Sequence, residues 1–469
     1  MGMVTRAKKR RMEEESRRPD LPPNGGADLI SRLPDDVLGK IITTHLPAKD
    51  GGRTQIISRR WRPLWSLAPL NFEAKISDNH PVLVARTFSQ LLTHKGPVRR
   101  FFLDSRCNYD CLSIIDSILG SPRFENLQEF ELLFDNNGHR DSPIPRSVFC
   151  LSPTLQVLRI CSTCEVLQFP VETACVPNFP HLKQLTLSNI NISKSTLHGL
   201  LARCPVLENL VLSSNRGYHC VWISSLTLRS LGISDAWFCK EGKLDEIIIE
   251  DAPLLERFIP CKRSNDDLVI RVIQAPKLKI LGYLSHKISR LDLGTLVFQK
   301  LVPGNLSNVM RTVKILALDI APDLSVVIDF LKCFPCVTKL YIAACQGNFM
   351  NERRSVSLEC LDLHLKVVQY INYDGEMSEV NFIKFFVLNA KVLESMKFVA
   401  RRDKCDAKWI QKQHKKLWLN ARASQGATFD FEASYRACSL VYMKDISDLT
   451  TDDPFDRSLC RCIKHEDFH

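Results

Sequence analysis

Along most of the chain one six-residue pattern returns, with apolar residues at its first, fourth and sixth positions. It reads LQEFEL from Leu127, LQVLRI from Leu155, LKQLTL from Leu182, LENLVL from Leu207 and LRSLGI from Leu228. LDEIII from Leu244, LKILGY from Leu278, ISRLDL from Ile288, VKILAL from Val313, VTKLYI from Val337, LECLDL from Leu358 and LESMKF from Leu393 continue it. The fourth and sixth positions alternate with polar neighbours, the period of a strand with one buried face. The commonest separations, about 21 to about 28 residues, fall within the range of leucine-rich repeats. Each copy predicts one short strand of a parallel sheet, joined to the next by a helix or loop. SKSTLHGLLARCP shows such a return: Leu197, Leu200 and Leu201 share a helix face and Pro205 ends it. A single copy cannot bury its own apolar face, so neighbours must stack into one core. Unrelated strand–helix units in a compact α/β domain would not repeat one template this often. Separations of 16 residues after Leu228 and 34 after Leu244 predict an irregular solenoid with variable returns.

A different pattern governs residues 28–72, where DLISRLPDDVLGKIITTHLPAKDGGRTQIISRRWRPLW predicts three short helices. Pro34 suits a first helical position, and Asp35 and Asp36 favour the helix dipole. Val37, Leu38, Ile41 and Ile42 form one stripe. Pro47 opens a second helix reaching Ile56 and Ile57; Ser58 is expected to cap a third, on which Trp61, Leu64 and Trp65 share a face. Gly51 and Gly52 fall inside the second helix, each costing about 1 kcal/mol relative to Ala, so that helix is expected to start late or fray. So short a segment cannot bury two tryptophans and this many aliphatic residues alone. It packs on the repeats or presents a surface to a partner. The concentrated apolar stripe beside charged residues favours the partner.

Composition sharpens this picture in three places. The 469 residues exceed one ordinary core, and 45% hydrophobic with 25% charged residues is a globular balance. No run of 18 apolar residues predicts a membrane span, and the charged N-terminus is not a secretory signal. The 18 cysteines are therefore expected to be reduced, with Cys150, Cys333 and Cys360 reading as small buried hydrophobes. The net charge of +11 resolves into two patches. Residues 1–20 hold seven Lys/Arg against four acids, and 396–422 hold nine against two, whereas 431–469 are acidic. Residues 1–27 read as a disordered basic leader; its AKKRR run is either a solvated tail or a nuclear import signal. KWIQKQHKKLWLNARA reads as an amphipathic helix with a solvated basic face, and nucleic acid is not expected as a partner.

Little chemistry of its own is visible. Cys161–Cys164 and Cys333–Cys336 have C-x-x-C spacing, but neither has a second pair at finger distance. Cys460, Cys462, His465 and His469 form a weaker cluster in the C-terminal tail, 431–469. No nucleophile elbow, P-loop or dinucleotide fingerprint occurs. No catalytic residue, metal or cofactor is expected.

The N-terminal segment resembles the F-box of plant F-box proteins. Leu33-Pro34-Asp35-Asp36, Leu38, Ile41, Leu46-Pro47, Lys49-Asp50, Arg53-Thr54, Ser58-Arg59-Arg60-Trp61-Arg62 and Leu64-Trp65 carry the resemblance. Residues 358–398, with WIQKQHKKL and RASQGATFDF after them, look like the FBD region of plant F-box/LRR proteins. The resemblance implies an α/β chain: a three-helix F-box at 28–72, then leucine-rich repeats at 100–350 with a parallel sheet on the concave face, then an FBD-like part at 351–430. It also implies a non-catalytic substrate receptor of an SCF-type cullin–RING ubiquitin ligase, in the nucleus or cytoplasm. Leu33, Pro34, Leu38, Ile41, Leu46, Trp61, Leu64 and Trp65 would contact a Skp-type adaptor, and the repeats would bind an unidentified target protein. Two other readings compete: a repeat scaffold whose F-box no longer serves a ligase, and a receptor sensing a small molecule in a repeat-lined pocket.

Overall fold

The computed structural model describes residues 29–30, 32–44, 46, 48–56, 58–76, 88–89, 91, 93–105, 111–134, 143–163, 166–170, 177–235, 243–261, 267–344, 357–401, 405–434, 446 and 448–456. The basic leader, Pro47, Ile57, Cys164 and the cluster from Cys460 to His469 lie outside them. The chain divides into two compact units. One ends at Leu70 and includes His94–Gly96; the other holds Asn71–Thr93 and the chain from Pro97 on.

The first unit contains helices Asp35–Thr44, Ala48–Arg53 and Trp61–Leu67, with a single 3-10 turn at Thr54–Ile56. Its core is Leu38, Ile42, Trp61 and Ala68. The amides of Val37 and Leu38 both donate to the Pro34 carbonyl, which starts the first helix where the Pro-Asp-Asp run predicts. The second helix forms straight through Gly51 and Gly52 rather than starting after them. Ser58 does not cap the third helix through its side chain. Arg60 stands at that position, helical and without a capping hydrogen bond, while the Ser58 backbone carbonyl accepts from Trp61 N.

The second unit is built on a 14-stranded sheet. In order its strands are Leu70–Ile76, Val98–Ser105, Glu129–Phe134, Val157–Ser162, Gln184–Ser188, Asn209–Ser213, Ser230–Ser234, Arg257–Cys261, Ile280–Ser285, Ile315–Ile320, Lys339–Ala344, Val367–Tyr373, Ser395–Arg401 and Thr428–Ser434. From Val98–Ser105 onward every neighbouring pair is parallel. Successive side chains alternate between faces. The template leucines such as Leu185, Leu210, Leu231 and Leu316 point inward and are fully buried. Threonines tie successive units together: Thr154 Oγ1 donates to Leu127 O at 2.8 Å and Thr227 Oγ1 to Leu207 O at 2.8 Å.

The returns differ from the expectation of helices and loops. SKSTLHGLLARCP does form a helix, Lys194–Ala202, capped by Ser193 Oγ on Thr196 N. In the middle of the stack, however, the returns are strands. Cys220–Ser224, Glu246–Asp251, Leu268–Gln274 and Ile288–Leu293 pair in parallel, and Leu296–Gln299 and Val302–Pro303 add antiparallel strands to make a second, six-stranded sheet. Val221, Ile247, Ile249 and Ile270 turn inward from it and are buried. The copies from Leu244 and Ile288 therefore belong to this second sheet, not to the main one. The copy from Leu358 is a helix, Glu359–Leu363. The main-sheet strand in the gap is Arg257–Cys261, preceded by Leu255. Leu255 lies 27 residues after Leu228 and 23 before Leu278, so the spacings of 16 and 34 give way to regular ones, while the extra strands of the second sheet leave 35 residues between Leu278 and Val313. Cys150 is exposed, contrary to its apolar sequence surroundings; Cys333 and Cys360 are fully buried.

The FBD-like stretch continues the same sheet with Val367–Tyr373 and Ser395–Arg401. Tyr373, Phe398, Trp409 and Phe431 pack ring to ring there, with Phe398 and Phe431 stacked at 4.5 Å. The helix Ala407–Lys416, capped by Asp406, packs Trp409 and the buried Gln413 and leaves Lys408, Lys412 and Lys415 in solvent. Beyond Thr428–Ser434, the expected tail returns to the main sheet: Ile446 and Phe455 are buried on its outer face. Among the described residues no helix is long and apolar enough to cross a membrane.

Candidate docking site

In the first unit a single arginine locks the opening turn. Arg60 donates to the Leu33 carbonyl at 2.6 Å and through Nε to Asp35 Oδ1 at 2.8 Å. The start of the third helix is thereby tied to the start of the first, with a further turn closed by Leu33 N on Ile30 O. The two charged motif positions thus have a structural task, holding the Leu33-Pro34 corner in place. Charge-assisted bonds of this type are about twice as strong as neutral ones, though exposure reduces their net contribution.

Gly51 has an equally definite task. A Cβ there would stand 2.4 Å from Trp65 Cζ3, so the indole ring lies against the bare glycine. At Gly52 the nearest indole atom would be 3.8 Å away, an ordinary contact. Trp65 also meets His94 edge to face at 5.3 Å, and the His94 ring is within hydrogen-bond distance of Ala68 O, 2.8 Å.

The predicted docking residues fall into two groups. Leu38 and Trp61 are buried, at 0% and 5% exposure, in the unit's own core, where they support the surface rather than present it. Leu33, Ile41, Leu64 and Trp65 pack on that core and remain half-exposed; Leu46 is half-exposed and Pro34 exposed. Leu29 and Ile30, 68% and 57% exposed, and Val37 add apolar surface at the same end of the first helix. They lie outside the buried stripe and were not among the expected contacts. For Leu29 and Ile30 the available signal was their apolar character just before the Leu-Pro pair; Val37 had been expected in the stripe and is instead exposed.

In the second unit the outer face of the main sheet changes character along its length. At the N-terminal end it is charged: Arg100 bridges Glu73, Glu129 and Glu131, and Arg159 reaches Glu131 at 2.9 Å. Further on it becomes apolar, with Ile259, Ile280, Tyr283, Ile315, Tyr341 and Val399 in one cluster. Burial pushes the Cys161, Cys204 and Cys360 thiols up to about 12. Cys336, Glu359 and His364 come together with ligand atoms within 4.8 Å of one another. The Arg311 guanidinium already occupies this group, forking onto Glu359 at 2.7 and 3.1 Å and reaching Cys336 Sγ at 3.8 Å. A cation there competes with any metal, and the group reads as an ion-paired brace between returns.

Fold and side-chain arrangement define a leucine-rich-repeat protein with a small helical unit ahead of the repeats. The family model described as FBD-associated F-box protein At5g56370, LRR repeats, matches residues 115–342, and the FBD model matches 353–398. An FBD-associated F-box protein of Arabidopsis thaliana, At3g50710, is 29% identical over 415 residues, covering 80% of this chain and 92% of that protein. The Arabidopsis F-box/FBD/LRR-repeat protein At4g00160 is 26% identical over 452 residues, covering 87% and 96%. The chain belongs to the plant F-box/LRR proteins with an FBD region.

Proposed function

We propose that the chain is the substrate-recognition subunit of an SCF-type cullin–RING ubiquitin ligase, acting in the nucleus or cytoplasm. The first unit docks on a Skp-type adaptor and the repeat and FBD-like region holds the target. The observation that carries this reading is the apolar corner of the first unit. Leu33, Ile41, Leu64 and Trp65 are held on a small core, and Leu29, Ile30, Pro34 and Val37 are exposed close to Leu33 in the chain. Such a corner suits anchors that fill a partner's groove. The names of the relatives agree with an F-box adaptor role. Leu38 and Trp61 act through the shape of the unit, and Leu46 lies at its edge. The chain's contribution is proximity, since holding a lysine-bearing target near a charged ubiquitin-conjugating enzyme raises their effective concentration.

The test is capture of a plant Skp-type adaptor by the purified full chain. The Leu33→Ala, Pro34→Ala double variant should weaken capture by about 30-fold, the loss typical of removing a central anchor. Equal capture by both proteins, or none by either, would rule the reading out. Affinity purification after proteasome inhibition, with and without the first unit, would then identify targets held by the repeats.

A further inference from the structure

Part of the outer face of the main sheet is covered in this structure by the chain's own residues 446 and 448–456. Among the described residues this segment adds no strand to the sheet. It lies across strands that are already fully paired, and is held by side chains pointing outward from them. Ser230 Oγ donates to Ile446 O at 2.8 Å. Arg257 donates to the carbonyls of Asp448, at 2.8 Å, and Thr451. Lys339 Nζ and Tyr341 OH both reach Asp453 Oδ2 at 2.7 Å. The gripping groups therefore present donors for backbone carbonyls and for one carboxylate.

Two glycines complete the site. A Cβ at Gly232 would stand 2.9 Å from Ile446 side-chain atoms, and one at Gly282 would stand 2.3 Å from Phe455 Cζ. Each is a missing side chain that opens a recess in the sheet surface, one filled by an aliphatic group and the other by a ring. Phe455 packs there on Tyr341 at 5.3 Å and Tyr283 at 6.3 Å. Tyr283 holds a left-handed backbone conformation, φ +60, beside a register shift in the ladder. That conformation is costly for a bulky residue, and here it accompanies a ring on the outer face.

We propose that this face is the target-binding site and that residues 446–456 are a displaceable internal occupant. The target segment it fits is an acidic peptide with an aliphatic residue for the Gly232 recess and, further along, an acid followed two residues later by an aromatic for the Gly282 recess. An internal occupant is present at high effective concentration, so it screens out segments that match only part of this chemistry. The link to target selection rests on the receptor reading above; the peptide site itself does not.

The full chain is compared with its Asp453→Asn, Phe455→Ala variant, using a fluorescent peptide spanning 446–456 and polarisation as the readout. No adaptor is present, so the result is independent of the docking test. The variant should bind the peptide about tenfold more tightly than the wild type, because its occupant is weakened. A peptide carrying the same two substitutions should bind neither protein, and Gly282→Val in the variant background should abolish binding. Equal binding to both proteins, no binding to the variant, or equal binding of the substituted peptide would overturn the proposal. The substituted peptide is tested on the same folded protein, so the comparison stands even if Gly282→Val fails to fold. A wild-type chain that is dimeric by light scattering and exchanges this segment between copies would also overturn it, making the face a self-association site.

Discussion

Gly51 and Gly52 are adjacent, chemically identical and physically opposite. A methyl group at Gly51 has to displace the Trp65 ring, whereas at Gly52 it meets only ordinary contact. Gly51→Ala should therefore destabilise the first unit by about 1–3 kcal/mol through overpacking. Gly52→Ala should be neutral or stabilising by up to about 1 kcal/mol through helix propensity. Thermal unfolding of the two variants followed by tryptophan fluorescence checks this; loss of the same size in both would show that the Trp65 contact is unimportant. Propensity alone treats the two glycines alike and so predicts a frayed helix. The distinction needs the partner ring, 13 to 14 residues further along the chain.

Glu379 offers a second test at this scale. Burial raises its carboxyl above the ordinary 4.5, although backbone amides of Glu376, Asp374 and Gly375 pull it back in part. An acid whose folded value is raised contributes stability that is complete below 4.5 and is lost as pH rises through the folded value. Glu379→Gln removes that loss. Its stability relative to wild type, from urea unfolding, should improve as pH rises from 4.5 toward neutrality. A pH-independent difference would mean that the carboxyl is not perturbed in the fold.

At the level of elements, the repeat template marked most of the strands but could not say which layer a strand joins. LDEIII and ISRLDL carry the same alternation as LKQLTL, and all three are strands. Alternation reports one buried face, and both sheets bury one. LECLDL satisfies the template too, yet its leucines serve equally at helical spacing, and the segment folds as Glu359–Leu363. The strand Arg257–Cys261 does not show in the template because Pro260 occupies the sixth position, where a hydrophobe is required. In the first unit the apolar stripe was legible, but not its division between core and surface. That depends on how three helices cross, which no local pattern records. If the second sheet closes the core, Ile270→Ala should cost about 2–5 kcal/mol, as for any fully buried aliphatic side chain. Chemical denaturation measures it, and a cost below about 1 kcal/mol would mean that this layer is only a cover.

For the repeat unit as a whole, stability passes between neighbours through the interfaces they share. Between Cys220–Ser224 and Ile288–Leu293, neighbours are joined by two ladders, one in each sheet. Toward Thr428–Ser434, among the described residues, they are joined by the main ladder alone, with helices as returns. Hydrogen exchange should be slowest in the strands Ser230–Ser234, Arg257–Cys261 and Glu246–Asp251, and fastest at Thr428–Ser434. Uniform protection along the stack would contradict this gradient. Mechanically, the double-laddered middle is a beam with two flanges. Bending it stretches hydrogen bonds on one side while compressing packed side chains on the other. The single-laddered part can flex by small slides of its helices. A load carried along the stack would therefore meet a stiff centre and a more compliant C-terminal end, and would strain the register of the middle least.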